Sequence, residues 1–191
     1  MVGPLYARAK YSRLYPDLFQ DDEASNLIER VMNIHSDSID EFKILDEFID
    51  EFLGLSFIVR AKTFDDTIKQ FIEKKSQATI VNLGCGLDTT FSRVDNGSIL
   101  WYDLDLPDAI EYRRRLIPET ERSKCIPKSI FDQSWMDDIV FTESTNGHGS
   151  TRNIYSKRPY LLWLFTMIRT CSVPIHKRIN SPQSRKVRRG Y

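Results

Sequence analysis

The residues best suited to chemistry lie in a glycine turn that follows an apolar run. Residues 78–83 (ATIVNL) are mostly apolar and β-branched, which predicts a short buried strand, and Gly84 and Gly86 follow at once. Glycine adopts backbone conformations that other residues disfavour and lets a ligand approach the main chain. At the carboxyl end of a parallel strand, this is where nucleotide-like ligands bind. The same turn also occurs without a ligand, so a G-x-G by itself is weak evidence.

A second feature is an acidic residue at the end of the next apolar run. Residues 99–103 (ILWYD) predict another strand, which ends in Asp103. A carboxylate about 20 residues after a glycine turn usually holds a pair of ribose hydroxyls. Asp103 lies at about that distance, so the two features together predict a ligand that contains a nucleoside.

Three helices are expected before the glycine turn, because apolar residues recur there at helical spacing. The first begins at a cap formed by Asp21 or Asp22. The second covers residues 40–53 and stops at Gly54, and the third covers residues 57–75. These helices form a cap ahead of the predicted strands.

After the second strand the sequence predicts one more helix and one more strand. Pro107 suits the first turn of a helix over residues 108–116. A short strand includes Cys125 and Ile126, and Pro127 marks it as an edge. Helices followed by strand, helix and strand predict an α/β doubly wound domain behind a helical cap.

Composition and cysteine usage limit the class of protein. A chain of 191 residues with 41% hydrophobic residues fits one globular domain. Three scattered cysteines are too few for a disulfide framework or a metal site and suit a reducing cytoplasm. The longest apolar run, residues 160–168, is far shorter than the roughly 20 residues that span a bilayer, and no apolar signal core is present at the N-terminus. We therefore expect a cytoplasmic protein without a membrane partner.

The formal net charge of zero conceals a split along the chain. Every acidic residue lies at or before Glu143, whereas residues 144–191 contain ten Lys or Arg and no Asp or Glu. The first 143 residues therefore carry 17 basic against 27 acidic residues. A basic tail with nearby aromatic residues favours a nucleic-acid-binding arm as an alternative function.

Two motifs carry a resemblance to a known family. Residues 81–89 (VNLGCGLDT), followed by residues 101–107 (WYDLDLP), resemble the leucine carboxyl methyltransferase superfamily. Within it the chain is most similar to the branch of O-methyltransferases associated partly with polyketide tailoring. The resemblance covers roughly residues 4–143, and further stretches agree in order at residues 4–9, 21–24, 60–65 and 129–135.

The resemblance implies a class I methyltransferase fold and S-adenosylmethionine as cofactor. It implies that Gly84 and Gly86 pass close to the methionine and ribose, that Asp103 accepts hydrogen bonds from the ribose hydroxyls, and that Arg60 binds the cofactor carboxylate. The adenine would be contacted by Ser129, Ile130 and Asp132.

Each of these residues also has a purely structural interpretation. Arg60 could be a solvated helix residue and Asp132 a helix cap, and we expect Asp105 to be structural. One position departs from the family pattern: Thr90 stands where an arginine is common, so we expect a weaker local network with acidic partners.

Methyl transfer requires mainly alignment of an oxygen nucleophile with the activated methyl group. We therefore assign no catalytic residue and no metal. His35, His148 and His176 lie outside the matching motifs and are expected in surface or loop positions. The implied partner is a small-molecule methyl acceptor. The sequence identifies neither this acceptor nor the oligomeric state of the protein.

The predicted organisation has three parts. Residues 1–56 form the helical cap, residues 57–143 the cofactor-binding half of an incomplete doubly wound sheet, and residues 144–191 a basic, poorly ordered tail. The composition changes where the resemblance stops, which favours a truncated or frameshifted gene. A further alternative is a misfolding remnant without function. Its incomplete sheet would expose an edge, which predicts aggregation or dimerisation.

Overall fold

Helices come first along the chain, and the strands of a parallel sheet follow. The computed structural model describes residues 2–35, 39–140 and 161–165. The helices are α1 (Val2–Leu14), α2 (Asp22–Ile34), α3 (Ile39–Phe48), α4 (Glu51–Lys74), α5 (Thr90–Val94) and α6 (Pro107–Leu116). The strands are β1 (Thr79–Leu83), β2 (Leu100–Asp105), β3 (Ser123–Pro127) and β4 (Leu161–Phe165), and a 3-10 helix (Gln133–Asp138) follows β3.

In the described part of the chain, the sheet has four parallel strands in the order β3-β2-β1-β4. The chain moves outward from β1 to β2 to β3 and then returns to the other side of β1 with β4. This confirms the predicted α/β class with an incomplete doubly wound sheet. It also confirms the strand that contains Cys125, which pairs with Asp103 of β2.

Side chains alternate between the two faces of the sheet, as a strand requires. Ile80 and Trp101 pack in one cluster with residues of α4 and α5. Val81 and Leu104 pack on the opposite face in a cluster with Trp135. The glycine turn after β1 is therefore held by a core on each side of the sheet.

Helix α2 begins as the sequence predicted. Asp21 is its N-cap, and the carboxylate accepts a 3.0 Å hydrogen bond from the backbone N–H of Ala24. The buried face includes Leu27, Ile28 and Val31, which pack against α1. The predicted first helix is thus confirmed with its cap.

The predicted stop at Gly54 is wrong. Helix α3 ends at Phe48, and α4 begins after Asp50, whose carboxylate accepts a 2.8 Å hydrogen bond from the N–H of Leu53. Gly54 lies within the first turn of α4, and the ring of Tyr11 occupies the space where a side chain at this position would project. The predicted division between residues 56 and 57 falls inside this helix, so one helix joins the cap to the sheet.

Four elements were not expected from the sequence: α1, α5, the 3-10 helix and β4. Helix α1 passes through a stretch of mixed polarity, and it buries Leu5, Arg8 and Tyr11 together. Strand β4 lies in the basic segment, for which no strand was predicted, and it pairs with β1. The rest of residues 144–191 lies outside the described residues. Among the helices of the described part, none is long and apolar enough to cross a membrane.

Candidate functional site

The glycine loop, which we define as residues 84–89, leaves the carboxyl end of β1 in a tight turn. Gly84 and Gly86 have φ values of 70° and 48°, in the left-handed region that favours glycine. The backbone N–H groups of Gly84 and Cys85 both donate to the carbonyl of Leu104 in β2, at 2.7 and 3.2 Å. Gly84 is exposed and Gly86 half-buried, so the loop offers its main chain at the surface where nucleotide-like ligands bind.

Asp105 is the acidic residue that the fold brings to this loop. It ends β2, is half-buried, and accepts a 2.8 Å hydrogen bond from the backbone N–H of Gly86 through Oδ2. Its Oδ1 accepts from the N–H of Leu106. The residue expected to be structural thus lies at the strand end beside the second glycine.

Asp103 points into the protein instead. It is 1% exposed, and its Oδ2 accepts a 2.7 Å hydrogen bond from Arg113. Its Oδ1 accepts from the indole N–H of Trp101 and the amide of Asn82, both at 3.0 Å. A ribose contact by Asp103 would therefore require this buried network to open.

Two buried arginines bind three successive carbonyls of the glycine loop. Arg113 of α6 donates to the carbonyls of Gly86 and Asp88, at 3.0 and 2.8 Å. Arg8 of α1 donates to the carbonyl of Leu87 at 2.9 Å. The shape of the loop is therefore fixed by helices that lie far from it in the sequence.

A further network holds the end of the glycine loop against α4. Arg93 donates to Asp21 at 2.7 Å, to Asp65 at 2.6 and 3.0 Å, and to the Thr89 hydroxyl at 2.7 Å. The expectation of a weaker network at Thr90 is therefore corrected. Arg93, which lies one turn further along α5, supplies the guanidinium that meets the acidic partners.

Arg60 lines a small cleft beside the loop. The cleft has a volume of about 20 Å³, room for a single water molecule, and Asn82, Asp88 and Trp101 also line it. Burial and the nearby charge of Arg8 lower the pKa of Arg60 below its ordinary value. The Asp88 carboxylate, which lines the same cleft, acts in the opposite direction, and the carboxylate-binding role of Arg60 stays a prediction.

The predicted adenine-binding residues follow the end of β3. The carboxylate of Asp132 accepts a hydrogen bond from the N–H of Ser134 and caps the 3-10 helix, and hydrogen bonding by the side chain and the backbone of Ser134 lowers the pKa of Asp132. The carbonyl of Ile130 accepts a 3.2 Å hydrogen bond from the indole N–H of Trp135. Ser129 completes a turn by accepting from the N–H of Asp132 at 3.0 Å. These residues therefore lie on a turn anchored by a buried tryptophan.

Thiol and metal chemistry have little support among the described residues. Burial raises the pKa of Cys85 well above its ordinary value and that of Cys125 to about 11, so both thiols stay protonated at neutral pH. No cluster of three or more potential metal ligands occurs in the described ranges. His35 caps the end of α2 and lies 3.0 Å from the Tyr112 hydroxyl, whereas the other two histidines fall outside those ranges.

Fold and site together define an α/β protein in which a glycine loop meets an acidic strand end at the carboxyl edge of a parallel sheet. The sequence profile of the leucine carboxyl methyltransferase family matches residues 1–136, and the chain belongs to this family. Members of the family are in general dependent on S-adenosylmethionine. The predicted family is thereby confirmed.

A curated relative gives a second comparison. The chain is 35% identical to the tetracenomycin polyketide synthesis O-methyltransferase TcmP of Streptomyces glaucescens over 81 residues. This stretch is 42% of the present chain and 30% of the relative. The match therefore spans less than a third of the relative's length.

Sequence reasoning missed the arginines of the site, Arg8, Arg93 and Arg113. Their partners lie many residues away, as with Arg8 and Leu87 or Arg113 and Gly86, so no local spacing reveals them. The one available signal was an arginine within the apolar pattern of a helix, as Arg113 is between Ile110 and Leu116. A charged residue on a buried helix face needs a buried partner.

Proposed function

We propose that this chain is a methyltransferase that binds S-adenosylmethionine and methylates an oxygen of a small molecule or carboxylate. The observation that carries the proposal is the contact between Gly86 and Asp105 at the carboxyl ends of β1 and β2. It joins a positive-φ glycine loop to an acidic strand end, which is the arrangement expected for a bound nucleoside. Membership of the leucine carboxyl methyltransferase family supports the same chemistry.

The chain's own groups divide the work of holding the cofactor. Asp105 would accept hydrogen bonds from the ribose hydroxyls, and Arg60 would bind the carboxylate. The exposed main chain at Gly84 would lie against the methionine part, and the turn at residues 129–132 would contact the adenine. When bound, S-adenosylmethionine supplies an activated methyl group, so the protein contributes mainly orientation and exclusion of water.

This proposal assigns the ribose contact to Asp105. The sequence analysis had assigned this contact to Asp103. The Oδ2 of Asp105 already accepts from Gly86, and a carboxylate oxygen has a further lone pair for a ribose hydroxyl. Asp103 is 1% exposed and both of its oxygens have partners. The acceptor is proposed as a small molecule, and TcmP, whose name places it in polyketide synthesis, supports an oxygen acceptor.

Calorimetric titration of the full chain with S-adenosylmethionine tests the proposal. We expect saturable binding, and we expect Asp105→Asn to weaken it about tenfold, the effect of losing a hydrogen bond to a charged group. The matched control is Asp108→Asn, an exposed carboxylate in the first turn of α6, which should leave the affinity unchanged. Absence of binding by a folded protein would overturn the cofactor assignment, and an unchanged affinity in Asp105→Asn would overturn the role of that residue.

A further inference from the structure

The buried side chain of Arg113 holds the glycine loop at two points. Arg113 donates through Nη1 to the carbonyls of Gly86 and Asp88, and through Nη2 to Asp103 at 2.7 Å. One guanidinium therefore ties two points of the loop to the middle of β2. Because the guanidinium is planar and rigid, these contacts fix the relative position of the two carbonyls.

The position of Arg113 is costly for a residue with a merely structural role. It is 3% exposed, and its Nε is buried without a hydrogen-bond partner among the described residues. Burial opposes its charge, but the Asp103 carboxylate raises the pKa of Arg113 above its ordinary value, so the guanidinium is charged. Buried ion pairs often stabilise a protein no more than apolar residues of the same size would. We therefore expect the pair to contribute mainly by fixing the positions of the Gly86 and Asp88 carbonyls relative to β2.

Asp103 has the complementary role of fixing the guanidinium. Its other oxygen is held by Trp101 and Asn82, so the carboxylate cannot rotate without breaking two 3.0 Å hydrogen bonds. Asn82 precedes the loop in β1 and also donates to the Asp88 carboxylate at 3.1 Å. The hydrogen-bond network of Asp103 and Arg113 therefore contacts the chain both before the glycine loop, at Asn82, and within it, at Asp88.

We propose that Asp103 and Arg113 form a positioning pair that holds the glycine loop in the shape needed for cofactor binding. In this role Asp103 acts through Arg113 and does not touch the cofactor. The expected effect of the pair on S-adenosylmethionine binding rests on the proposed function. The effect on the loop itself is independent of any ligand.

Arg113→Lys tests the pair, because lysine keeps the charge but cannot reach Asp103 and two carbonyls in one fixed geometry. The measurement is amide hydrogen exchange of the full chain at Gly86 and Asp88, whose N–H groups donate at 2.8 Å within the site. We expect exchange there to become about tenfold faster, while Val81 in the adjoining strand is unchanged. The matched control is Arg115→Lys, since Arg115 is an exposed neighbour on the same helix.

The same variants are then titrated with S-adenosylmethionine. We expect Arg113→Lys to weaken binding about tenfold and Arg115→Lys to leave it unchanged. If Arg113→Lys does not fold, Asp103→Asn undergoes the same two measurements with the same expected results.

Unchanged exchange at Gly86 and Asp88 would overturn the positioning role. Equally faster exchange at Val81 would also overturn it, because it would indicate general destabilisation. If the native chain binds no cofactor, the proposed function fails while the exchange result still decides the role of the pair.

Discussion

Asp21 and Arg93 form a buried ion pair at 2.7 Å that joins the start of α2 to α5. Asp21 is 2% exposed, caps α2, and also accepts a 3.0 Å hydrogen bond from Arg8. One carboxylate therefore connects two cap helices with the helix that follows the glycine loop. This contact couples the stability of the cap to the geometry of the site.

Asp21→Ala should strongly destabilise the protein. The change leaves Arg8 and Arg93 without a shared anion, and breaking a buried pair in this way typically costs about 3–5 kcal/mol. Loss of the α2 cap adds about 1 kcal/mol. Urea unfolding followed by circular dichroism measures the change in the free energy of unfolding. The control Asp22→Ala removes an exposed acidic neighbour and should cost no more than about 1 kcal/mol; equal losses would contradict the role of Asp21.

Gly54→Ala should destabilise the protein although alanine favours helices. A Cβ at this position would overlap the ring of Tyr11, which is 4% exposed and donates a 3.0 Å hydrogen bond to the Ile49 carbonyl. Overpacking of this kind costs about 1–3 kcal/mol, which exceeds the helix-propensity gain of about 1 kcal/mol.

Gly3→Ala is the matched control for this prediction. Its new Cβ would have Leu45 as nearest neighbour at 3.8 Å, an ordinary contact, so this change should stabilise α1 slightly. Thermal and urea unfolding of both variants measure the change in the free energy of unfolding, which should be negative for Gly54→Ala and slightly positive for Gly3→Ala. A stabilised Gly54→Ala protein would show that the Tyr11 ring moves aside freely.

The strands and the helix around the glycine turn could be predicted because their signals are local. Apolar β-branched runs predicted β1 and β2, and Pro107 predicted the start of α6. Helix α1 was missed for a physical reason. Helix α1 buries Arg8 beside Leu5, so its pattern of hydrophobic residues is interrupted by a charge whose partners come from elsewhere in the fold.

The candidate site was predictable only in part. The two glycines and an acidic strand end were predicted from the sequence, but the choice between Asp103 and Asp105 depended on which carboxylate already has buried partners. Alternation places both on the same face of β2, and only the position of Arg113 shows that Asp103 is already engaged. Contacts between distant segments of this kind leave no spacing in the sequence.

Acid should weaken the fold through Asp88. Burial by itself would raise the pKa of this carboxyl, but Arg8 and Arg93 outweigh it and hold the pKa below its ordinary value. A depressed folded-state pKa contributes stability that is present above the unfolded value of about 4 and is lost as the pH falls through the folded value.

Urea unfolding at pH 6, 4 and 3 measures this contribution as the difference between the native chain and Asp88→Asn, because burial raises the pKa of Asp65 and of Asp103 and gives them the opposite pH dependence. Asp88→Asn should be less stable at pH 6 and should lose less stability over this range. Asp17→Asn, which removes one exposed carboxylate, controls for the change in total charge. An acid slope in Asp88→Asn as steep as in the control would contradict the role of Asp88.

Trp135 should be essential for the turn that follows β3. It is 1% exposed, packs with Val81 and Leu104 on one face of the sheet, and donates a 3.2 Å hydrogen bond to the Ile130 carbonyl. Trp135→Ala should cost about 3–5 kcal/mol in the free energy of unfolding, because it leaves a large cavity. Phe131→Ala is the control: this ring is 90% exposed on the same turn, so its loss should change stability by no more than about 0.5 kcal/mol. Urea unfolding compares the two, and a cost for Trp135→Ala as small as that of Phe131→Ala would show that this face of the sheet is not packed by the tryptophan.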